Sequence, residues 1–313
     1  MEASSIRTVG VCGIGQMGSA CAVAFQRAGY RVLLWARDEA KLEAVAEPIA
    51  AMTDWCHEHL GPPSQEGGEI ERTADLDRLD ADADCVLDCI VEILDEKVAL
   101  LKRFPKAAAK ERLFLSATSA LSPTAIAGAA GLGELFVVAH FWNPPHIIPV
   151  VEMVPGEATR AEYLTAACDL MTDIGKRPIV CRDVPGFVGN RLLHALWREA
   201  LSLVHEGVCG PAEVDEIIKL TFALRLPALG PIENMDYVGL DATERLQRYL
   251  GPHLAANTEP SPLLAEKLAA GDHGVKSGRG FYDWSQRDIG ELLRKRDTQV
   301  LRQIELLKEL GDL

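Results

Sequence analysis

Short, nearly continuous apolar runs alternate with stretches of helical periodicity over the first 180 residues. Arg7–Gly13, Arg31–Trp35 (RVLLW), Cys85–Val91, Leu113–Ser116, Phe136–His140 and Pro178–Cys181 read as strands. They lack the in–out alternation of a one-sided sheet and so predict strands covered on both faces. Between them, Ile14–Ala28 reads as a helix stopped at Gly29, Lys41–His59 as a second, and the stretch near Glu96–Lys110 as a third. GPPSQEGG at 61–68 marks an exposed turn. Strands alternating with helices predict an α/β fold with a doubly wound parallel sheet. From Phe187 onward the pattern is helical, as in Arg191–Glu206 and Ala212–Leu220. The expected boundary is Asp183-Val184-Pro185-Gly186, which gives domains 1–183 and 184–313.

The turn after the first strand adds chemistry to this pattern. Gly13-Ile14-Gly15-Gln16-Met17-Gly18 is G-x-G-x-x-G between a strand and a helix. The first glycine permits the tight turn, and the second lets a pyrophosphate approach the backbone at the helix N-terminus. The third allows close helix–strand packing. The N-terminal domain is therefore read as a Rossmann-type dinucleotide-binding domain. The acid that binds a ribose diol is missing from the end of the second strand, where Ala36, Arg37 and Asp38 stand. Arg37 can accommodate a 2′-phosphate, so NADP is expected to be acceptable beside NAD; the alternative has Asp38 turning back to the ribose.

A second constellation lies at 140–152, HFWNPPHIIPVVE, downstream of the Ser/Thr-rich turn SATSALSP at 116–123. A histidine with a carboxylate partner suits removal of a proton from an alcohol during hydride transfer. Charge narrows the partners. A net charge of −14 argues against nucleic acid or an anionic membrane, and there is neither an 18-residue apolar run nor a basic-then-apolar leader at Met1. The eight cysteines are scattered without a C-x-x-C pair and read as reduced thiols of a cytoplasmic protein. His57 and His59 flank Glu58, but nothing near them completes a metal site, and no metal is expected.

Seven stretches in order resemble the L-3-hydroxyacyl-CoA dehydrogenase family: GIGQMG (13–18), IVEILDEK (90–97), SATSALSP (116–123), HFWNPP (140–145), DVPGFVGNRLL (183–193), GPIENMDYVGLD (230–241) and GVKSGRGFYDW (274–284). The family includes CoA-free relatives acting on carnitine, gulonate or pyridine carboxylates. The resemblance implies that His140 is the general base and that Glu152 orients the imidazole. It implies that Ser119 and Asn190 hold the substrate oxygen, with Asn143 nearby. Cofactor contacts are implied for Glu92, Lys97 and Lys276, with Ser119 and Asn143 close by. It also implies a homodimer formed through the helical domain, with the nicotinamide and His140 in the cleft between domains.

Three departures bear on the substrate. Ala117 and Ile93 stand where relatives usually carry asparagine. Relatives acting on acyl-CoA carry a lysine-rich helical hairpin after the second strand, whereas this chain has no Lys or Arg between Lys41 and Arg72. It has Glu43, Glu47, Asp54, Glu58, Glu66, Glu69 and Glu71 instead, an acidic surface that repels a polyphosphorylated ligand. The tail at 285–313 places Ile289, Leu292, Leu293, Val300, Ile304 and Leu307 near one helical face, suited to packing. The expected activity is nicotinamide-dependent oxidation of a hydroxyl β to a carboxyl-derived group. The substrate is an acyl-CoA or, alternatively, a small CoA-free hydroxy acid or hydroxymethyl- or formyl-substituted aromatic carboxylate. A cofactor-binding protein without turnover, like the crystallins recruited from this family, is the remote alternative.

Overall fold

The computed structural model describes residues 3–65, 67–105 and 111–313. The chain divides into two compact units, Met1–Arg191 and Leu192–Leu313.

The first unit is built on a sheet whose described strands are β1 (Thr8–Cys12), β2 (Arg31–Trp35), β3 (Glu69–Thr73), β4 (Cys85–Asp88), β5 (Leu113–Ser116), β6 (Phe136–Phe141), β7 (Val150–Pro155) and β8 (Arg177–Val180). Their order is β3-β2-β1-β4-β5-β6-β7-β8. Helices α1 (Gln16–Arg27), α2 (Glu39–Ala44), α3 (Ala46–Leu60), α4 (Leu76–Asp82), α5 (Leu94–Leu101), α6 (Pro123–Ala130) and α7 (Ala161–Asp173) occupy the connections. Every residue of β1, β4, β5 and β6 is buried, as expected of strands covered on both faces. The strand order reverses at β1, between β2 and β4, so a crevice opens beyond the carboxyl ends of β1 and β4.

The structure departs from the sequence pattern at particular residues. The single helix expected over Lys41–His59 is two, α2 and α3, joined at Val45. Pro48 has no N–H to bond the Ala44 carbonyl and its ring crowds that oxygen, so the helix restarts. β3 (EIERT) was not expected because it carries little apolar sequence. It is an edge strand paired only with β2, held partly by Arg31, whose guanidinium lies 3.0 Å from Glu71. α5 spans Leu94–Leu101; the expected helix ends early, with 102–105 in turn and irregular backbone rather than helix, and its last part, 106–110, lies outside the described residues, as does Glu66.

The sheet is parallel through β6 and then reverses. β7 runs antiparallel to β6, and β8 parallel to β7 through α7. Only eight residues, Trp142 to Pro149, link β6 to β7, too few for a crossover helix, so the chain must return antiparallel. This return places the site.

The second unit is helical, with α8 (Gly189–His205) entering it and followed by α9 (Pro211–Leu220), α10 (Phe222–Arg225), α11 (Pro231–Val238), α12 (Leu240–Leu250), α13 (Pro262–Ala269) and α14 (Ile289–Leu310). The apolar series of the tail lies on α14. That helix starts where the Asp288 carboxylate accepts the Glu291 N–H at 2.9 Å, and it stops at Gly311 in the left-handed conformation. Large apolar side chains remain exposed on these helices, among them Leu192, Ile217, Leu220, Leu240 and Tyr249.

Candidate active site

The glycine turn follows β1, at the point where the strand order reverses. Gly13 adopts φ +117°, and a Cβ there would lie 2.6 Å from the Cys89 carbonyl oxygen beyond β4. A Cβ on Gly18 would lie 2.0 Å from the Gly13 oxygen, so this glycine lets α1 sit against the turn. Gly15 is different. Its φ of −68° suits any residue, and a Cβ would meet no protein atom within 4 Å. That open space lies before the N-terminus of α1, where Gly15 makes no side-chain cap, leaving backbone N–H groups for an anion. The residues present therefore fit the pyrophosphate of a dinucleotide. Gln16 and Met17 form the first turn of α1.

Beyond β2, Arg37 is exposed. Asp38 caps α2, accepting the Lys41 N–H at 3.1 Å, which draws its carboxyl below the usual range.

At the end of β4, Asp88 is fully buried and gathers three donors: Lys97 Nζ (2.9 Å), Ser116 Oγ (2.8 Å) and the Ile90 N–H (3.0 Å). Lys97 is 1% exposed, its ammonium turned inward onto this carboxylate. Glu92 holds the neighbouring turn. Its Oε1 accepts from Thr118 Oγ1 (2.5 Å), the Ser119 N–H (2.8 Å) and the Ala120 N–H (3.1 Å). Glu92 thus fixes the backbone that presents Ser119, and Lys97 Nζ lies 3.6 Å from its other oxygen.

His140 and Glu152 are directly opposed across β6 and β7, and residues so paired point to the same face. His140 Nδ1 donates to Glu152 Oε2 at 2.7 Å, and both side chains are buried. Oε1 of Glu152 accepts the backbone N–H groups of Val188 (2.9 Å) and Gly189 (3.0 Å). Burial pushes the Glu152 carboxyl up, but the bonds from His140, Gly189 and Val188 outweigh it and hold the group below its ordinary range. With Nδ1–H committed to the carboxylate, Nε2 carries the lone pair of the neutral ring. The Gly189 bond also anchors the start of α8, and Asn190 Nδ2 donates to the Ser119 carbonyl at 2.7 Å. His140, Glu152, Asn190, Ser119 and Glu92 are thereby joined through short hydrogen bonds and one shared helix start.

The NAD-binding domain of the 3-hydroxyacyl-CoA dehydrogenase family matches residues 8–184, and the family's C-terminal domain matches residues 186–284. The chain belongs to the 3-hydroxyacyl-CoA dehydrogenase family. A probable 3-hydroxybutyryl-CoA dehydrogenase of Deinococcus radiodurans is 34% identical over 279 residues, covering 88% of this chain and 99% of the relative. Among solved structures, 5-formyl-3-hydroxy-2-methylpyridine 4-carboxylic acid 5-dehydrogenase, an NAD+-dependent dismutase, has a TM-score of 0.91 at 29% identity, covering 97% of this chain and 99% of that one. The (S)-3-hydroxybutyryl-CoA dehydrogenase PaaH1 of Ralstonia eutropha has a TM-score of 0.71 at 30% identity, covering 90% and 100%.

Other residues expected from the family resemblance fall outside this network. Asn143 is exposed and precedes a cis bond to Pro144. Lys276 is exposed in the second unit. Ala117 follows β5 and Ile93 precedes α5. His59 stacks on Trp55, and among the described residues no cluster suited to a metal ion is present. Sequence reasoning missed Asp88, Thr118 and Trp142. Asp88 could have been found from a lone acid ending an apolar strand nine residues before Lys97. Trp142 lay inside the quoted HFWNPP motif.

Proposed function

We propose that this family member is an NAD-dependent dehydrogenase of a small, CoA-free hydroxylated carboxylate, of the aromatic or short hydroxy acid kind. The observation that carries the CoA-free reading is the acidic, arginine- and lysine-free run from Leu42 to Glu71, whose Glu47, Asp54 and Glu58 stand exposed on α3. It offers no counter-charge to the phosphates of CoA. Whole-chain similarity supports the same reading, since the pyridine carboxylate dehydrogenase has the higher TM-score of the two solved relatives. The relative from Deinococcus radiodurans favours the acyl-CoA reading, which stands second.

In this reading NAD, when bound at the glycine turn, supplies the hydride acceptor. His140 Nε2 takes the proton from the substrate hydroxyl, and Glu152 stabilises the resulting imidazolium. Asn190 and Ser119 orient the substrate oxygen on the turn that Glu92 holds. Asn143, exposed just beyond β6, is a further substrate contact in this reading, and Lys276 a cofactor contact by the family resemblance alone. Lys97 supports that side of the site through Asp88 and Glu92. Arg37, exposed beyond β2, extends cofactor use to NADP; equal or better NADH turnover with unchanged NADPH turnover in Arg37→Ala would remove that role. The enzyme is a cytoplasmic homodimer in this proposal. Domains divide near residue 183, and apolar side chains left exposed on the helical unit, such as Leu240 and Tyr249, supply the dimer surface. A monomer over a wide concentration range in light scattering would contradict the dimer.

The deciding experiment is steady-state reduction of acetoacetyl-CoA, free acetoacetate and a formyl-substituted pyridine carboxylate, each with NADH and NADPH. Turnover of a free acid with none of the thioester is expected. Robust turnover of the thioester alone overturns the CoA-free reading.

A further inference from the structure

Trp142 reaches the same carboxylate oxygen as His140. Its indole Nε1–H donates to Glu152 Oε2 at 3.3 Å, while His140 Nδ1 donates to that oxygen at 2.7 Å. The two rings are 5.3 Å apart, tilted by 57°. The indole is seated against Gly189, where a Cβ would lie 2.2 Å from Trp142 Cζ2. Gly189 is also the residue whose N–H holds the other oxygen, Oε1, together with Val188. The carboxylate therefore has four donors in a fixed frame, and its orientation is set by the strand pair, by the start of α8 and by the indole.

An oxygen that accepts two hydrogen bonds divides its charge between them. We propose that Trp142 is a positioning residue that acts through Glu152: its N–H shares Oε2 with His140, limits the pull of the carboxylate on the Nδ1 proton, and fixes the carboxylate plane. It touches neither substrate nor cofactor in this role. The proposal rests on the reading of His140 as the base, but its physical content, a shared acceptor, is measurable without substrate.

Trp142→Phe keeps a ring in the notch over Gly189 and deletes the N–H. The His140 Nδ1 proton is read by NMR in the whole protein and assigned by its loss in His140→Gln. It is expected to move downfield in Trp142→Phe as the remaining bond to Oε2 strengthens. With a substrate in hand, kcat should fall about three- to tenfold, the size of one lost hydrogen bond, with KM and NAD affinity kept. In a Glu152→Gln background the same substitution should cost nothing further, because the shared acceptor is gone. An unmoved Nδ1 proton, or an equal loss of kcat in both backgrounds, overturns the proposal. If no hydroxy acid is turned over and the Nδ1 proton still moves, the functional reading fails and the shared acceptor stands. Should Trp142→Phe not fold, the indole N–H resonance of Trp142 in Glu152→Gln decides. An upfield move on loss of the charged acceptor supports the sharing, and an unchanged resonance refutes it.

Discussion

His140 and Glu152 face one another across β6 and β7, and Nδ1 lies 2.7 Å from Oε2 because the chain turns back antiparallel between them. Had the strand continued the parallel order, a crossover would have separated the two residues in space. Instead an eight-residue return fixes the register, and a slip by one residue would send the two side chains to opposite faces. The hydrogen bond orients the ring, and the strand register makes that orientation permanent.

Removing the ring tests the role of this pair in turnover. His140→Gln is expected to lower kcat by roughly 10²–10⁴. NADH affinity, measured by fluorescence titration, should persist, because the glycine turn follows a different strand. An unaffected kcat means that another group takes the proton.

The state of Glu152 gives a stability prediction with a definite sign. Its carboxyl is held below the ordinary range in the folded chain, whereas an unfolded glutamate titrates at about 4.3. The charged form therefore favours folding fully above that value, and the advantage is lost as pH falls through the lower folded value. Glu152→Gln keeps the shape and removes the charge. Its melting temperature should trail the unsubstituted protein at neutral pH, and the gap should narrow as pH falls through the lowered folded value of the carboxyl. A gap that stays constant throughout the acid limb would show that the carboxylate charge contributes nothing to folding.

Much of this arrangement is legible in the sequence, for reasons that also explain the gaps. Val32–Trp35 and Leu113–Ser116 are fully buried, and their short apolar runs mark where the strands lie. Glu69–Thr73 has one side on β2 and the other open, so EIERT needs little apolar sequence and resembles a loop. Val150–Pro155 is apolar enough, but the reversal that brings Glu152 opposite His140 depends on connection length, which a parallel reading of the strands hides. The inward turn of Lys97 was likewise invisible, because a lysine on a helix reads as solvated until the buried Asp88 is seen beneath it.

The glycines of the turn separate folding from binding. Gly15→Ala adds a Cβ that meets no protein atom, so its melting temperature should equal that of the unsubstituted chain. Cofactor affinity should nonetheless drop by roughly tenfold or more, about 1.4 kcal/mol, because the methyl occupies the space before the helix N-terminus. Gly18→Ala should behave in the opposite order, with stability falling by about 1–3 kcal/mol from overpacking against the Gly13 carbonyl. Calorimetry beside NADH titration distinguishes the two. Equal affinity in Gly15→Ala would mean that the pyrophosphate lies elsewhere.

Lys97 supports the site from within the fold. Its ammonium is buried on Asp88 and lies 3.6 Å from Glu92, the residue that clamps the turn carrying Ser119. Deleting one member of a buried pair leaves an uncompensated charge, so Lys97→Met should cost about 3–5 kcal/mol of stability. Lys97→Met with Asp88→Asn should recover part of it, since the amide oxygen can still accept the Ile90 N–H while its NH2 group donates to the Ser116 hydroxyl, which turns from donor to acceptor. If Lys97 instead acts at the surface of the site, Lys97→Met will melt with the unsubstituted protein and lose only NADH affinity. Urea unfolding and NADH titration of the single and double variants decide between a buried support and a surface contact.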